Sequence, residues 1–121
     1  MIVAGFGFRK SATLASLRSA LERATQGNFA PAALATLDHK APQLDPLAQQ
    51  LRLPLIAIPS DRLTGQTTLT CSPVSLAAHH TGSVAEAAAL AAAGYHARLL
   101  APRAVSQDRL ATCALAEGNP I

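Results

Sequence analysis

Three short apolar runs in the first half of the chain constrain its fold more than any other feature. They cover residues 2–5 (IVAG), 33–38 (ALATLD) and 54–59 (PLIAIP), and their apolar character is continuous rather than alternating. Strands that are buried on both faces have this pattern, and such strands form parallel sheets with helices on both sides. The runs therefore predict a three-layer α/β/α sandwich with a mostly parallel sheet.

A helical pattern lies between the first and second apolar runs, and another lies between the second and third. The first predicted helix has Ser11 as its N-cap, carries leucines at helical spacing and ends near Gly27. The second has Asp45 as its N-cap and Pro46 as its first helical residue. Strand–helix–strand units of this kind join parallel strands by right-handed crossovers.

The clearest helical signal covers residues 83–94 (SVAEAAALAAAG). Ser83 is followed three residues later by Glu86, which matches a capping box, and Gly94 provides a stop. Helix capping alone explains Ser83 and Glu86. The free N–H groups at the start of such a helix could also hold a carboxylate.

The rest of the chain completes one domain of 121 residues. Residues 60–63 are predicted to form one helical turn, 64–70 a polar loop and 72–80 a short helix. Residues 97–102 and 109–117 are predicted to be strands of a C-terminal hairpin.

Charge and aromatic content favour a small anionic partner over nucleic acid. The formal net charge is +3, and the ten cationic residues form no long run. The aromatic residues are three Phe and one Tyr, too few for a platform that stacks single-stranded nucleic acid.

Cytoplasm is the expected location. No apolar run approaches the roughly 18 residues that a membrane span needs, and no signal-peptide pattern is visible. Cys71 and Cys113 lie far apart without CxxC spacing, which predicts reduced thiols. Cys113 lies in an apolar strand and is expected in the core.

The segment GFGFRKSA, residues 5–12, is predicted to be a glycine-rich turn between a strand and a helix. It is not a dinucleotide fingerprint, because Lys10 stands where the third glycine of G-x-G-x-x-G is needed. A parallel sheet would bring this turn to one edge together with residues 38–40 and 60–61.

Four segments together resemble the CobE/CbiG C-terminal domain family of cobalamin biosynthesis. They are VAGFGFRKSA, ALATLDHKA, LPLIAIPSDRL and TGSVAEAAALAAAG, in matching order and spacing over nearly the whole chain. In that family the domain occurs alone or fused behind the domain of cobalt-precorrin-5A hydrolase, which opens a lactone and releases acetaldehyde. The resemblance implies a role in making the corrin ring. It does not imply that this domain carries out the hydrolysis, because the separate hydrolase domain has no counterpart in the sequence. The family often has a small residue or Cys where Phe8 stands, so a thiol role is not carried over to that position.

A corrin precursor carries many carboxylates, so a basic group at one edge would suit it. Both lysines of the chain, Lys10 and Lys40, fall in the edge loops. The glycines either let a flat macrocycle approach the backbone or supply positive φ in a turn. The expected ligand-binding residues are Gly5, Gly7, Arg9, Lys10, Asp38, Lys40, Thr81, Gly82 and Ser83.

The main hypothesis is a protein that binds a precorrin-type tetrapyrrole and assists its processing, without a cofactor or a complete catalytic set. One alternative is a hydrolase-type enzyme for a precorrin lactone, with Asp38, His39 or Glu86 as acid–base groups. Another is a module that docks on a second pathway enzyme. No protein-held metal is expected, because His39, His79 and His80 lack ligand spacing.

Overall fold

The computed structural model of the chain describes residues 1–63, 66, 68–70 and 83–119. The strands are β1 (Ile2–Phe8), β2 (Ala33–Leu37), β3 (Leu55–Ile58), β4 (Tyr95–Leu99), β5 (Ala104–Val105) and β6 (Ala111–Asn119). The α-helices are α1 (Leu14–Thr25), α2 (Ala41–Leu51) and α3 (Val84–Ala93). Single 3-10 turns cover Asp38–Lys40 and Ser60–Arg62.

The strands form one sheet in the order β3-β2-β1-β6-β4, with β5 also paired to β6. Pairing is parallel between β1 and β2 and between β2 and β3, whereas β6 is antiparallel to β1, β4 and β5. Within the described part of the chain, β6 is thus the one reversed strand. This topology confirms the mostly parallel sheet and the C-terminal hairpin.

Helices cover both faces of the sheet. On one face, α1 and α2 pack against Phe6, Leu34 and other buried side chains. On the other face, the alanines of α3 pack against Val3, Leu37 and Ile58. The three-layer α/β/α prediction is confirmed, because the continuous apolar runs do face helices on both sides.

The predicted N-caps of the first two helices are wrong. Residues 9–12 form a turn in which the Ala12 N–H donates to the Arg9 carbonyl, so the N-cap of α1 is Thr13, two residues after Ser11, and the helix begins at Leu14. Helix α2 continues directly from the turn after β2 and begins at residue 41. Asp45 and Pro46 therefore lie inside α2, where Pro46 removes one N–H donor from the ladder.

Strand boundaries differ from the expected ones at β1 and at the hairpin. The strand β1 continues through Gly5 and Gly7 to Phe8, so the predicted glycine turn is wrong. The last strands begin and end within a few residues of the predicted bounds. The helix predicted over 72–80 lies outside the described residues, as do residues 64, 65 and 67 of the predicted loop 64–70. No helix in the described ranges has the length and apolar character of a transmembrane segment.

Candidate functional site

Basic side chains meet where β1 and β2 end, at what we call the carboxyl edge: residues 8–12, the turn 38–40 and the start of α3 at residues 83–84. Arg9 and Lys10 follow β1 directly and are exposed. Lys40 ends the turn after β2 and is half-buried. Parallel strands end at the same edge of a sheet, which is why two sequence-distant loops become neighbours here.

Lys40 links the two loops. Its Nζ donates a hydrogen bond of 2.5 Å to the Phe8 carbonyl and lies 5.1 Å from the centroid of the Phe8 ring. Partial burial lowers the pKa of Lys40, and the positive charge of nearby Lys10 lowers it further. An anion bound between the two ammonium groups would relieve their repulsion and favour the charged form of both.

Gln43 holds the loop that carries Arg9 and Lys10. Its Nε2 donates to the carbonyls of Ala12 at 2.9 Å, Lys10 at 3.1 Å and Arg9 at 3.4 Å. On the other side, the Arg9 N–H donates to the Leu110 carbonyl at 3.0 Å. Sequence reasoning missed Gln43, because the start of α2 was placed after it.

Gly5 and Gly7 allow α3 to lie close to β1. A Cβ on Gly5 would overlap the Ala85 carbonyl oxygen and lie 2.5 Å from the Ala89 nitrogen. A Cβ on Gly7 would lie 3.3 Å from the Val84 Cβ. Neither glycine has a positive φ. The segment that lies close to Gly5 is α3, where a macrocycle was expected, and the N-terminus of α3 thereby reaches the end of β1.

The predicted capping box of α3 is only half formed. The Glu86 N–H donates to Ser83 Oγ at 3.3 Å, so Ser83 caps the helix as expected. The Glu86 carboxylate is fully buried and binds two loops instead. Its Oε1 accepts from the Leu69 N–H at 2.9 Å and from the Thr70 N–H and hydroxyl at 2.8 and 3.1 Å. Its Oε2 accepts from the Arg103 N–H at 2.8 Å.

This arrangement gives Glu86 a structural task. Four donors hold its two oxygens in a buried position, which leaves the carboxylate no open face toward a substrate. Buried carboxylates that are satisfied in this way stabilise the fold. The structure therefore favours the structural interpretation of Glu86 over acid–base catalysis.

Asp38 and His39 lie next to each other at the exposed end of β2. Asp38 Oδ1 accepts from the His39 N–H at 2.7 Å and is 3.7 Å from His39 Nδ1. Both side chains are more than half exposed, at 56% and 59%. They are accessible to a ligand at the edge, but they lack the burial that tunes most acid–base pairs.

The remaining candidates lie in the core or outside the described residues. Cys113 is buried, and burial raises the pKa of its thiol, as expected for a core cysteine. No group of three His, Cys, Asp or Glu side chains within the described ranges could hold a metal ion. Candidates outside the described residues are Cys71, His79, His80, Thr81 and Gly82.

A comparison with family models decides the identity of the fold. The model described as "Cobalamin synthesis G C-terminus" matches residues 2–116. The chain belongs to this family. It is therefore a protein of cobalamin biosynthesis, as the four resembling segments imply. No curated protein matches the chain.

Two solved structures of cobalamin biosynthesis proteins are similar to this chain. CobE, a protein from the cobalamin (vitamin B12) biosynthetic pathway, is 33% identical with a TM-score of 0.85, over 98% of this chain and 91% of CobE. The cobalamin biosynthesis protein ChiG from Agrobacterium tumefaciens is 36% identical with a TM-score of 0.76, over 99% of this chain and 100% of ChiG. Each of these two alignments covers nearly the full length of both aligned chains.

A third structure shares the fold alone. It is a cobalamin biosynthesis protein G homologue from Sulfolobus solfataricus, 18% identical with a TM-score of 0.73. The match covers 95% of this chain but 36% of the homologue. The same fold thus occurs within a much longer protein.

Proposed function

We propose that the chain binds a precorrin-type tetrapyrrole at the carboxyl edge and assists its processing in the cytoplasm. The observation that carries this proposal is the placement of Lys10 beside Lys40, with Arg9 on the same loop. Membership in the cobalamin synthesis family supports a role in making the corrin ring. The polycarboxylate character of such intermediates matches the charge of this edge.

The positions of these cations support ligand binding over a purely solvated rim. Partial burial and the nearby charge of Lys10 disfavour the charged form of Lys40, and the Phe8 ring stabilises it. A bound anion would stabilise it further. The ammonium group has three N–H donors, and the bond to Phe8 uses one of them. The α3 N-terminus at Gly7 adds its positive end to the same edge.

A visible-spectrum titration with purified precorrin intermediates tests the proposal, because the chromophore reports its own binding. We expect a saturable spectral change with at least one intermediate, and weaker binding as salt is added. Absence of any change at low salt, with every intermediate, would contradict the proposal. The docking-module hypothesis would then be favoured.

Lys10→Met tests the edge itself. The substitution keeps the aliphatic stem and removes one exposed charge, so folding should be unaffected. Affinity should fall by about 1–3 kcal/mol if a charge-assisted contact is lost. Arg18→Met removes an exposed cation from α1, away from the edge, and should leave affinity unchanged.

Lys40→Met needs a stability measurement alongside the titration. In the double variant Lys10→Met/Lys40→Met, the change at Lys40 also removes the donor to the Phe8 carbonyl. We therefore expect the free energy of unfolding to fall by about 1 kcal/mol. Unchanged affinity of the folded double variant would place the ligand elsewhere. Turnover of a precorrin lactone by the pure chain would instead support the hydrolase alternative.

A further inference from the structure

The amide of Gln43 lies among three carbonyl oxygens of one short loop. The acceptors belong to Arg9, Lys10 and Ala12, at 3.4, 3.1 and 2.9 Å from Nε2. Only the NH2 end of a glutamine can occupy such a place, because its own carbonyl oxygen would be repelled there. Gln43 is the third residue of α2, a position from which glutamine commonly caps its own helix. Here its donors are directed to another segment.

We propose that Gln43 is a positioning residue for the basic loop, and that it acts by holding residues 9–12 so that Arg9 and Lys10 are displayed at the carboxyl edge. This inference rests on the proposed function. The amide donors of Gln43 are directed at the loop carbonyls. Its role is to fix the backbone from which the two cations project.

The physical reason is the entropy of the loop. Residues 9–11 are exposed, and long cationic side chains on a mobile loop would have to be ordered each time a ligand binds. Bonds from Gln43 on one side and from Arg9 to Leu110 on the other fix this loop in the free protein. Ligand binding then orders side chains only.

Gln43→Met is the central variant, because methionine has a similar length and no donors. Gln49→Met is its matched control, since Gln49 lies on the same helix and its amide contacts Asp45 within α2. Neither substitution changes the net charge. Binding of uroporphyrin, a tetrapyrrole with an acetate and a propionate on every ring, is measured by absorbance at several salt concentrations.

We expect Gln43→Met to bind uroporphyrin about three- to tenfold more weakly than wild type, with an unchanged dependence on salt. Lys10→Met should instead reduce that salt dependence, because it removes a charge. A merely structural role would lower the melting temperature without weakening binding by the folded protein. Gln49→Met should behave as wild type.

Amide hydrogen exchange gives a second readout that needs no ligand. Exchange of residues 9–12 should be faster in Gln43→Met than in wild type and Gln49→Met, and Gln43→Lys, which keeps a donor, should restore part of the protection. Equal exchange in all variants, or uroporphyrin binding by Gln43→Met equal to wild type, would overturn the inference. Failure of wild type itself to bind uroporphyrin at low salt would contradict recognition of tetrapyrrole carboxylates at this edge, and with it any role of Gln43 in binding.

Discussion

The N-termini of α1 and α3 have similar caps in sequence but different hydrogen bonds in the structure. Each begins with a hydroxyl N-cap, Thr13 in α1 and Ser83 in α3. In α1 the box is complete, because the Ser16 N–H donates to Thr13 Oγ1 at 3.2 Å and the Thr13 N–H donates to Ser16 Oγ at 3.0 Å. In α3 only the first of these two bonds has a counterpart.

The difference shows that reach and burial decide what the third residue of a helix binds. The S-x-x-E pattern of α3 is the stronger capping signature, yet the long Glu86 side chain binds loop N–H groups at residues 69, 70 and 103. Without Glu86, these N–H groups would lack hydrogen-bond acceptors at a buried site. That costs more free energy than an N-cap N–H that is left to water. The short Ser16 hydroxyl accepts from the N-cap N–H and donates to the carboxylate of Asp108.

Glu86→Gln should have the largest effect on stability. One amide end of glutamine would face N–H donors that now bind a carboxylate, so we expect the free energy of unfolding to fall by about 3 kcal/mol. Urea denaturation measures the change. Glu22→Gln, at an exposed position of α1, is the control and should change stability by less than about 0.5 kcal/mol. A similar small change in Glu86→Gln would show that Glu86 does not hold the loops.

Ser83→Ala should cost about 1 kcal/mol of unfolding free energy through loss of the helix cap. Thr13→Ala should cost less, because Thr13 is exposed and water can replace its hydroxyl at the helix N–H. Thermal denaturation of the two variants compares them directly. If Ser83→Ala kept full stability but lost ligand affinity, Ser83 would be a binding residue rather than a cap.

Asp108 gives the smallest effect, and that effect depends on pH. The Ser106 hydroxyl, then the Ser16 hydroxyl and the Leu110 N–H, lower the pKa of Asp108 below its ordinary value of 3.8. A carboxyl whose pKa is lower in the folded than in the unfolded protein stabilises the fold at pH values above its unfolded pKa. This stabilisation is lost as the pH falls through the folded pKa. The stability difference between wild type and Asp108→Asn should therefore be constant near neutral pH and shrink below about pH 4.

Ser106→Ala checks the cause. Removal of the hydroxyl that lowers the pKa most should reduce the pH dependence assigned to Asp108. Denaturation curves from neutral to acidic pH measure it. A stability difference that did not change with pH would contradict the coupling between Asp108 and the two serines.

The sequence by itself determined the layer architecture and much of the basic edge. Continuous apolar runs can be satisfied only between two helical layers, which the two faces of β1 and β2 confirm. The positions of Lys10 and Lys40 after consecutive strands predicted that they would be neighbours, since parallel strands end together. Ser83 and Gly94 also lie at the two ends of α3, as expected for an N-cap hydroxyl and a C-terminal glycine.

Only the tertiary structure decided what the polar side chains and glycines at this edge bind. Gly5 is needed because α3 packs on β1, a contact between segments about eighty residues apart that no local pattern contains. Gln43 and Glu86 both occupy the third position of a helix, where local rules predict a cap. Their partners are loop backbone groups that lie nearby only after the sheet has formed, and satisfying those groups outweighs the local preference.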